Sequence, residues 1–109
     1  MDIQFNTDSS VMGTENVAER IEAQLRQRLG RFAERLTRLE VHVGDENARK
    51  GGGDDKRCTI EARPRGGEPV TVTAYAGDVD AAAREAGSKM ATLLERHFGK
   101  ADRHARPGG

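Results

Sequence analysis

Several residue types that commonly build binding sites are scarce in this chain of 109 residues. It contains one cysteine, no tryptophan, one tyrosine and three phenylalanines. A single cysteine excludes an internal disulfide and is typical of a reducing compartment. With so few aromatic side chains, stacking on aromatic rings cannot be the main way in which the protein binds a ligand.

Long apolar runs and a targeting segment are also missing. No apolar stretch approaches the ~20 residues that a membrane-spanning helix needs. The first five residues, Met1 to Phe5, have neither the basic nor the apolar region of a secretory signal. The length fits one domain, and we expect it to be cytoplasmic and to have no membrane partner.

Net charge is absent as well, because 18 Lys and Arg residues balance 18 Asp and Glu residues. The basic residues are nevertheless grouped on one flank of the apolar stripe in each of two helical segments. In the first segment they fall within an arc of about 80°, at roughly 100° per residue; they are Arg20, Arg28, Arg31, Arg35 and Arg38. The second segment carries Lys89, Arg96, Lys100 and Arg103. Such local grouping predicts a surface for an anionic partner.

Alternation of apolar and polar residues predicts four strands, at residues 2–6, 39–43, 58–63 and 70–76. The glycine- and proline-rich residues 64–69 predict a tight hairpin between the last two strands. Each strand has only one clearly apolar side, so both helices must cover the same face of the sheet. The predicted fold is α+β, a β-α-β-β-β-α sandwich with a four-stranded sheet.

The first helical segment keeps its apolar period from Val17 to Leu36. Gly30 interrupts this period at a cost of up to ~1 kcal/mol, so it allows a bend or an early end. The start has two candidate caps, Thr14 and Asn16. Asn16 is followed three residues later by Glu19, which is the spacing of a capping box.

The second helical segment follows Asp78, a candidate N-terminal cap. We expect this helix to end near Phe98, where Gly99 offers a C-terminal stop. The predicted domain therefore covers residues 1–100, and residues 101–109 are expected to form a disordered tail. If the two helices lie side by side, their basic stripes would line one groove, although the sequence does not say which flanks face each other.

No residue pattern is typical of an enzyme or a metal site. The glycines at 51–53 lack the Lys-Ser/Thr of a phosphate loop, and the acidic residues around them lack the ligand order of an EF-hand. Cys58 lies on the same side of its strand as Ile60, which favours a buried, inert thiol. The three histidines lack metal-ligand spacing. We therefore expect no catalysis, no metal and no cofactor.

Short matches spread over almost the whole chain resemble one protein family. They are Thr14-Glu15, Arg28-Leu29, Glu34-Arg35-Leu36, Gly77-Asp78, Ala82, Lys89-Met90, Leu94 and Arg96-His97. Together with the order of the elements, they resemble the ribosome hibernation promoting factor and ribosome-associated inhibitor family. The resemblance runs from Met1 to about Lys100. The sequence ends without the C-terminal dimerisation domain of the long family form, so we expect the short form.

The resemblance implies a fold like that of double-stranded-RNA-binding domains and a non-catalytic role. Family members bind the small ribosomal subunit in the channel for messenger and transfer RNA, contact ribosomal RNA through basic helical residues, and block translation in stationary phase or stress. Four positions belong both to the family matches and to a basic stripe: Arg28, Arg35, Lys89 and Arg96. A ribosome-dimer-promoting role is favoured over a monosome-blocking one.

Several positions in the second helix depart from the family pattern, and they leave an alternative open. These positions are Asp80, Ala83, Arg84, Thr92 and Phe98. The alternative is a protein-interaction or self-associating module that keeps the fold but has lost its affinity for the ribosome. Its contact surface would be the open sheet face, which includes Tyr75 and is a candidate for a weak homodimer.

Overall fold

The computed structural model describes residues 1–7, 16–45 and 56–105. The elements are β1 (Asp2–Thr7), α1 (Val17–Leu29), a 3-10 turn (Gly30–Arg35), β2 (Leu36–Asp45), β3 (Lys56–Pro64), β4 (Val70–Ala76) and α2 (Val79–Ala105). The predicted order β-α-β-β-β-α is confirmed. The predicted loop before α1 and the glycine run at 51–53 lie outside the described residues.

The four strands form one mixed sheet in the order β1-β2-β3-β4. β1 is parallel to β2, and the other two pairs are antiparallel. One row across the sheet joins Phe5 to Val41, Val41 to Ile60, and Ile60 to Val72. Since residues in one row point to the same face, this row shows how apolar residues of all four strands meet on one side.

Both helices cover this apolar face, as predicted. α1 and α2 pack beside each other, and α2 lies over β3 and β4. The fully buried larger side chains of the core come from both helices and the inner strands: Ile21, Leu25, Leu29, Leu36, Leu39, Val41, Val43, Ile60, Met90 and Leu94. The opposite face of the sheet carries charged and threonine side chains together with Tyr75.

The first helix is shorter than the sequence period suggests. The α-helix ends at Leu29, Gly30 starts the 3-10 turn, and Leu36 is already extended at φ −116° and ψ 139°. The weak helix propensity of glycine is consistent with this change. Leu36 still reaches the core, so the apolar spacing continues where the helix does not. Arg38 consequently lies on β2 and not on the helical arc to which the periodicity assigned it.

Thr14, one of the candidate caps, lies outside the described residues, and the other two, Asn16 and Asp78, behave differently. Asn16 adopts a left-handed conformation at φ 69°, and its side chain makes no capping hydrogen bond, so the capping box expected with Glu19 does not form. The carboxylate of Asp78, in contrast, accepts a hydrogen bond of 2.7 Å from the backbone N–H of Ala81. The capping role predicted for Asp78 is therefore confirmed.

The second helix is longer than predicted. It continues through Gly99 to Ala105, so Gly99 does not stop it. A glycine inside a helix costs about 1 kcal/mol relative to alanine. The hydrogen bonds of the helical turns on either side of Gly99 outweigh this cost. Residues 101–105 of the predicted tail are thus helical in backbone, and residues 106–109 lie outside the described part of the chain. The domain boundary near residue 100 stays a prediction.

Candidate nucleic-acid interface

Four arginines along α1 and the 3-10 turn reach across to α2. Their partners lie 60 to 64 positions later in the chain, and all four arginines are exposed. We call them the arginine row: Arg20, Arg28, Arg31 and Arg35. Because these contacts advance together along both elements, α1 and α2 run parallel, and the row follows the groove between them.

Two members of the arginine row form ion pairs with acids of α2. Arg20 lies 3.0 Å from the carboxylate of Asp80, and Arg31 lies 3.2 Å from that of Glu95. The four side chains are between 39% and 64% exposed. Ion pairs in such positions contribute only about 0–1 kcal/mol. The acids therefore position the guanidinium groups without preventing them from taking another anion.

Arg28 of α1 lies against Gly87 of α2. Its guanidinium donates to the Ser88 hydroxyl at 2.9 Å. A Cβ atom on Gly87 would stand 3.1 Å from Leu25 Cδ2 and 3.2 Å from Arg28 Cδ. The missing side chain at Gly87 thus provides the space in which the stem of Arg28 lies against α2.

Arg35, at the end of the row, lies over an aromatic ring. Its guanidinium carbon is 4.1 Å from the centroid of Phe98, a distance typical of a cation–π contact. Phe98 itself is 7% exposed and packs 5.8 Å from the ring of Phe32. Arg35 therefore covers the core at this end of the domain while remaining exposed to solvent.

The basic stripe of α2 lies on its other flank. Lys89 donates a hydrogen bond of 2.9 Å to the carbonyl of Thr73 on the edge strand β4. Arg96 follows seven residues later and is displaced by only about 20° around the helix. Ser88 and Glu95, which contact the arginine row, lie about 100° away from Lys89 and Arg96 around the helix. The expectation that both basic stripes line one groove is therefore wrong for Lys89 and Arg96, which lie on the β4 side of α2.

Three further residues were predicted to bind RNA, and none of them is seen in the arginine row: Lys100, Arg103 and Arg38. Lys100 and Arg103 belong to the last turns of α2, and their side chains fall outside the described part of the structure. Arg38 lies on β2, where it is 3.5 Å from Glu40, and Arg63 of β3 is 3.4 Å from the same carboxylate. These charges are on the open face of the sheet, away from the arginine row.

Two of the five departures from the family pattern are explained by packing. Ala83 is fully buried and Phe98 nearly so, which makes both part of the core. Asp80 is the partner of Arg20. Thr92 is exposed on the outer face of α2. Two of the five positions, Ala83 and Phe98, are therefore part of the core, whereas Arg84 and Thr92 are exposed.

Sequence reasoning missed a cleft beside the turn between β3 and β4, which we call the hairpin cleft. Its volume is about 450 Å³, within the range of roughly 300–1,000 Å³ that is typical of small-ligand sites. Its lining includes Glu34, Arg35, Arg65, Gly67, His97 and Phe98. The available signal was the basic Arg65 directly before two glycines, but its proximity to Arg35 and His97 depends on the tertiary fold.

The described residues contain one free cysteine, Cys58, which is buried. Burial raises the pKa of the Cys58 thiol to about 12, against a smaller lowering effect of the Arg57 charge. The thiol is therefore protonated at neutral pH and is a poor nucleophile. No cluster of three or more histidine, cysteine or acidic side chains able to hold a metal ion occurs in the described ranges. None of the helices in these ranges is long and apolar enough to cross a membrane.

Comparison with known proteins identifies the family. The model of the family described as "Sigma 54 modulation protein / S30EA ribosomal protein" matches residues 7–102. The chain belongs to this family. The sequence resemblance to ribosome hibernation factors is thereby confirmed. A search of curated proteins found no match.

Two solved structures support the S30EA fold. A ribosomal subunit interface protein from Coxiella burnetii superposes with a TM-score of 0.74 at 15% identity, covering 91% of this chain and 99% of that one. The N-terminal domain of Protein Y from Thermus thermophilus superposes with a TM-score of 0.70 at 20% identity, covering 89% and 99%. At these identities the likeness concerns the fold alone.

The four positions shared by the S30EA family matches and the basic stripes divide evenly between the two flanks of α2. Arg28 and Arg35 belong to the arginine row, whereas Lys89 and Arg96 lie on the flank above β4. The exposed side chains of Ser88 and Thr92 lie on the outer surface of α2. The basic surface therefore extends across α2, with small polar residues between its two halves.

Proposed function

We propose that this protein is a non-catalytic, cytoplasmic factor that binds the ribosome and inhibits translation in stationary phase or stress. In this proposal it binds the small subunit, contacts ribosomal RNA and occludes the channel for messenger and transfer RNA. Membership of the S30EA family supports a ribosomal role. The observation that carries the RNA contact is the arginine row, whose four guanidinium groups stay exposed while α2 holds them in position.

The arginine row is chemically suited to phosphate groups. A guanidinium group donates two parallel hydrogen bonds to a phosphate, and arginine is weakly hydrated compared with lysine. Residues 20 to 35 span roughly 20 Å along the helix and turn, which is enough for several phosphates. Since the ion pairs of Arg20 and Arg31 are exposed, exchange of a carboxylate for a phosphate costs little.

The positions of Lys89 and Arg96 favour RNA that crosses α2 over RNA confined to the interhelical groove. Both residues lie on the β4 side, and both are exposed. An RNA segment that contacts Arg28 and also one of these residues must pass over the outer face of α2. Ser88 and Thr92 occupy that face, and their short side chains allow a close approach of a sugar-phosphate backbone.

The direct test is co-sedimentation with purified small subunits over a range of salt concentrations. If n phosphates are contacted, the logarithm of the affinity should fall against the logarithm of the salt concentration with a slope of roughly 0.7n to 0.9n. Absence of co-sedimentation even at low salt would contradict the proposal.

Charge reversal identifies the surface responsible. Arg35→Glu and Lys89→Glu should each weaken co-sedimentation while the circular dichroism spectrum stays that of the folded protein. Arg26→Glu is the matched control, because Arg26 is exposed on α1 but pairs with Glu22 at 3.0 Å, outside the arginine row. Equal effects of all three variants would mean that only total charge matters and that the row plays no specific part.

The alternative, a protein-interaction module that binds through the open sheet face, has weaker support. Arg63 on that face is already paired with Glu40 and Glu61. Among the described residues, Tyr75 is the one large apolar side chain that is exposed, at 48%. No broad apolar patch of these residues therefore surrounds it. A salt-insensitive dimer that Tyr75→Ser disrupts and Arg35→Glu does not would favour this alternative in analytical ultracentrifugation.

A further inference from the structure

We infer that the hairpin cleft receives one unpaired nucleotide of an RNA strand. In this arrangement the base stacks on the guanidinium plane of Arg35, and the adjoining phosphodiester accepts hydrogen bonds from Arg65. The inference deepens the proposed function and rests on it for the identity of the RNA. It goes beyond that function in assigning a nucleotide-sized site at the end of the arginine row, beside the turn between β3 and β4.

Arg65 is fixed at the mouth of the cleft by two hydrogen bonds to the 3-10 turn. Its backbone N–H donates to the carbonyl of Arg35 at 3.0 Å, and its side-chain Nε donates to the carbonyl of Glu34 at 2.9 Å. Among the described residues, its two terminal nitrogen atoms have no hydrogen-bond partner. An arginine anchored in this way loses little conformational freedom when these nitrogens bind a phosphate.

Arg35 provides a flat surface that is already supported from below. The ring of Phe98 lies 4.1 Å beneath its guanidinium carbon, and His97 meets the same ring edge-on at 5.1 Å. Unpaired RNA bases stack on arginine planes as well as on aromatic rings. A base on the side of Arg35 away from Phe98 would complete a three-layer stack, which explains how a chain with few aromatics can hold a base.

The two glycines of the turn keep the cleft open. Gly66 has φ +69°, a conformation that favours glycine. A Cβ on Gly67 would lie 3.4 Å from Pro64 Cβ and 3.8 Å from His97 Nε2, which are ordinary contact distances. Position 67 therefore tolerates a side chain sterically, and a larger one there would extend beside His97 and occupy the cleft.

The test uses the full chain and measures binding of a fluorescein-labelled hexamer of single-stranded RNA by anisotropy. Gly67→Leu, which fills the cleft without changing charge, should weaken binding about tenfold, since stacking of one base contributes on this scale. Gly30→Leu is the matched control, because a Cβ at Gly30 meets nothing within 4 Å, and it should leave the affinity unchanged. In ¹⁵N spectra the hexamer should shift the amide signals of Gly66 and Gly67.

Each outcome bears on the inference. Equal affinities of Gly67→Leu and the wild type, or hexamer-induced shifts confined to Arg20, Arg28 and Arg31, would overturn it. Shifts of Gly66 and Gly67 by adenosine monophosphate at lower concentration than by the hexamer would also overturn it, in favour of a free nucleotide. If the wild type and Gly67→Leu co-sediment equally with small subunits, the cleft assignment fails while the proposed function stands. If the wild type does not co-sediment, the proposed function fails.

Discussion

Two basic stripes lie on either side of α2, and they are held differently. On the side facing α1, Asp80 and Glu95 of α2 pair with two members of the arginine row, and Gly87 leaves room for the stem of Arg28. On the β4 side, Lys89 contacts a backbone carbonyl, and Arg96 makes no ion pair with the residues that the structure describes. Two similar charge patterns in the sequence thus form two different surfaces. The arginine row is positioned by side chains of α2, whereas Lys89 and Arg96 lie beside the edge strand β4.

This difference assigns separate roles to the two flanks in the proposed RNA contact. The arginine row is arranged in advance, which favours a defined geometry, but two of its members must exchange an acid for a phosphate. The β4 flank has no acid to exchange at Lys89 and contributes charge directly. RNA binding by the arginine row should therefore respond to changes in packing and in the neighbouring acids. RNA binding by the β4 flank should respond mainly to changes in its own charge.

The largest expected effect comes from separating α1 from α2. Gly87→Val places a side chain against Leu25 and Arg28, which already stand within 3.2 Å of the position of its Cβ. Overpacking of this kind costs about 1–3 kcal/mol, and we expect a reduction of that order in the free energy of unfolding, measured by urea denaturation followed by circular dichroism.

Gly99→Val in the same helix is the control for Gly87→Val. Nothing lies within 4 Å of a Cβ at Gly99, and valine is at least as good a helix former as glycine. The stability of this variant should equal or slightly exceed that of the wild type. Equal stability of both variants would show that the helices do not depend on close contact at Gly87.

A smaller effect is expected when the arginine row is released from its acids. Asp80→Asn combined with Glu95→Gln removes the two carboxylates that pair with Arg20 and Arg31. Binding to small subunits should tighten, and the salt slope should steepen by roughly 0.7 to 0.9 for each additional phosphate engaged. Glu22→Gln removes a carboxylate that pairs outside the row. If Glu22→Gln tightened binding as much as the double variant does for each carboxylate removed, Asp80 and Glu95 would have no special role.

The smallest effect is expected on the thermal stability of the protein when the basic residues of the β4 flank are replaced. Lys89→Met keeps the apolar stem but removes the hydrogen bond to Thr73, which at this exposed position contributes no more than about 1 kcal/mol. Thermal melting should fall by at most a few degrees, whereas Arg96→Met should melt like the wild type. A larger loss for Arg96→Met would mean that Arg96 has a structural partner.

The strands and the capping role of Asp78 could be predicted because each depends on local pattern. Alternation locates β2, β3 and β4, and the short side chain of Asp78 stands directly before an apolar helical stripe. The ends of the helices were less predictable. Leu36 has the right spacing for either a helix or the strand that follows, and Gly99 is compatible with a helix as well as with its end.

The relation between the two basic stripes could not be read from the sequence. Gly87 and Lys89 lie on opposite flanks of the apolar stripe of α2, and periodicity treats both flanks alike. Which of them faces α1 depends on the path of the chain through the sheet. The hairpin cleft was missed for the same reason, since Arg35, Arg65 and His97 are brought together from a turn, a hairpin and a helix.

The hydrogen bond from Lys89 to Thr73 also has a consequence for solubility. β4 is an edge strand, and the unpaired backbone groups of an edge are where strands of other molecules add during aggregation. The ammonium group of Lys89 donates to a backbone carbonyl of this strand, and a strand that added here would have to displace the ammonium group or bury its charge. Molecules at high concentration would therefore resist joining edge to edge at this point of the sheet.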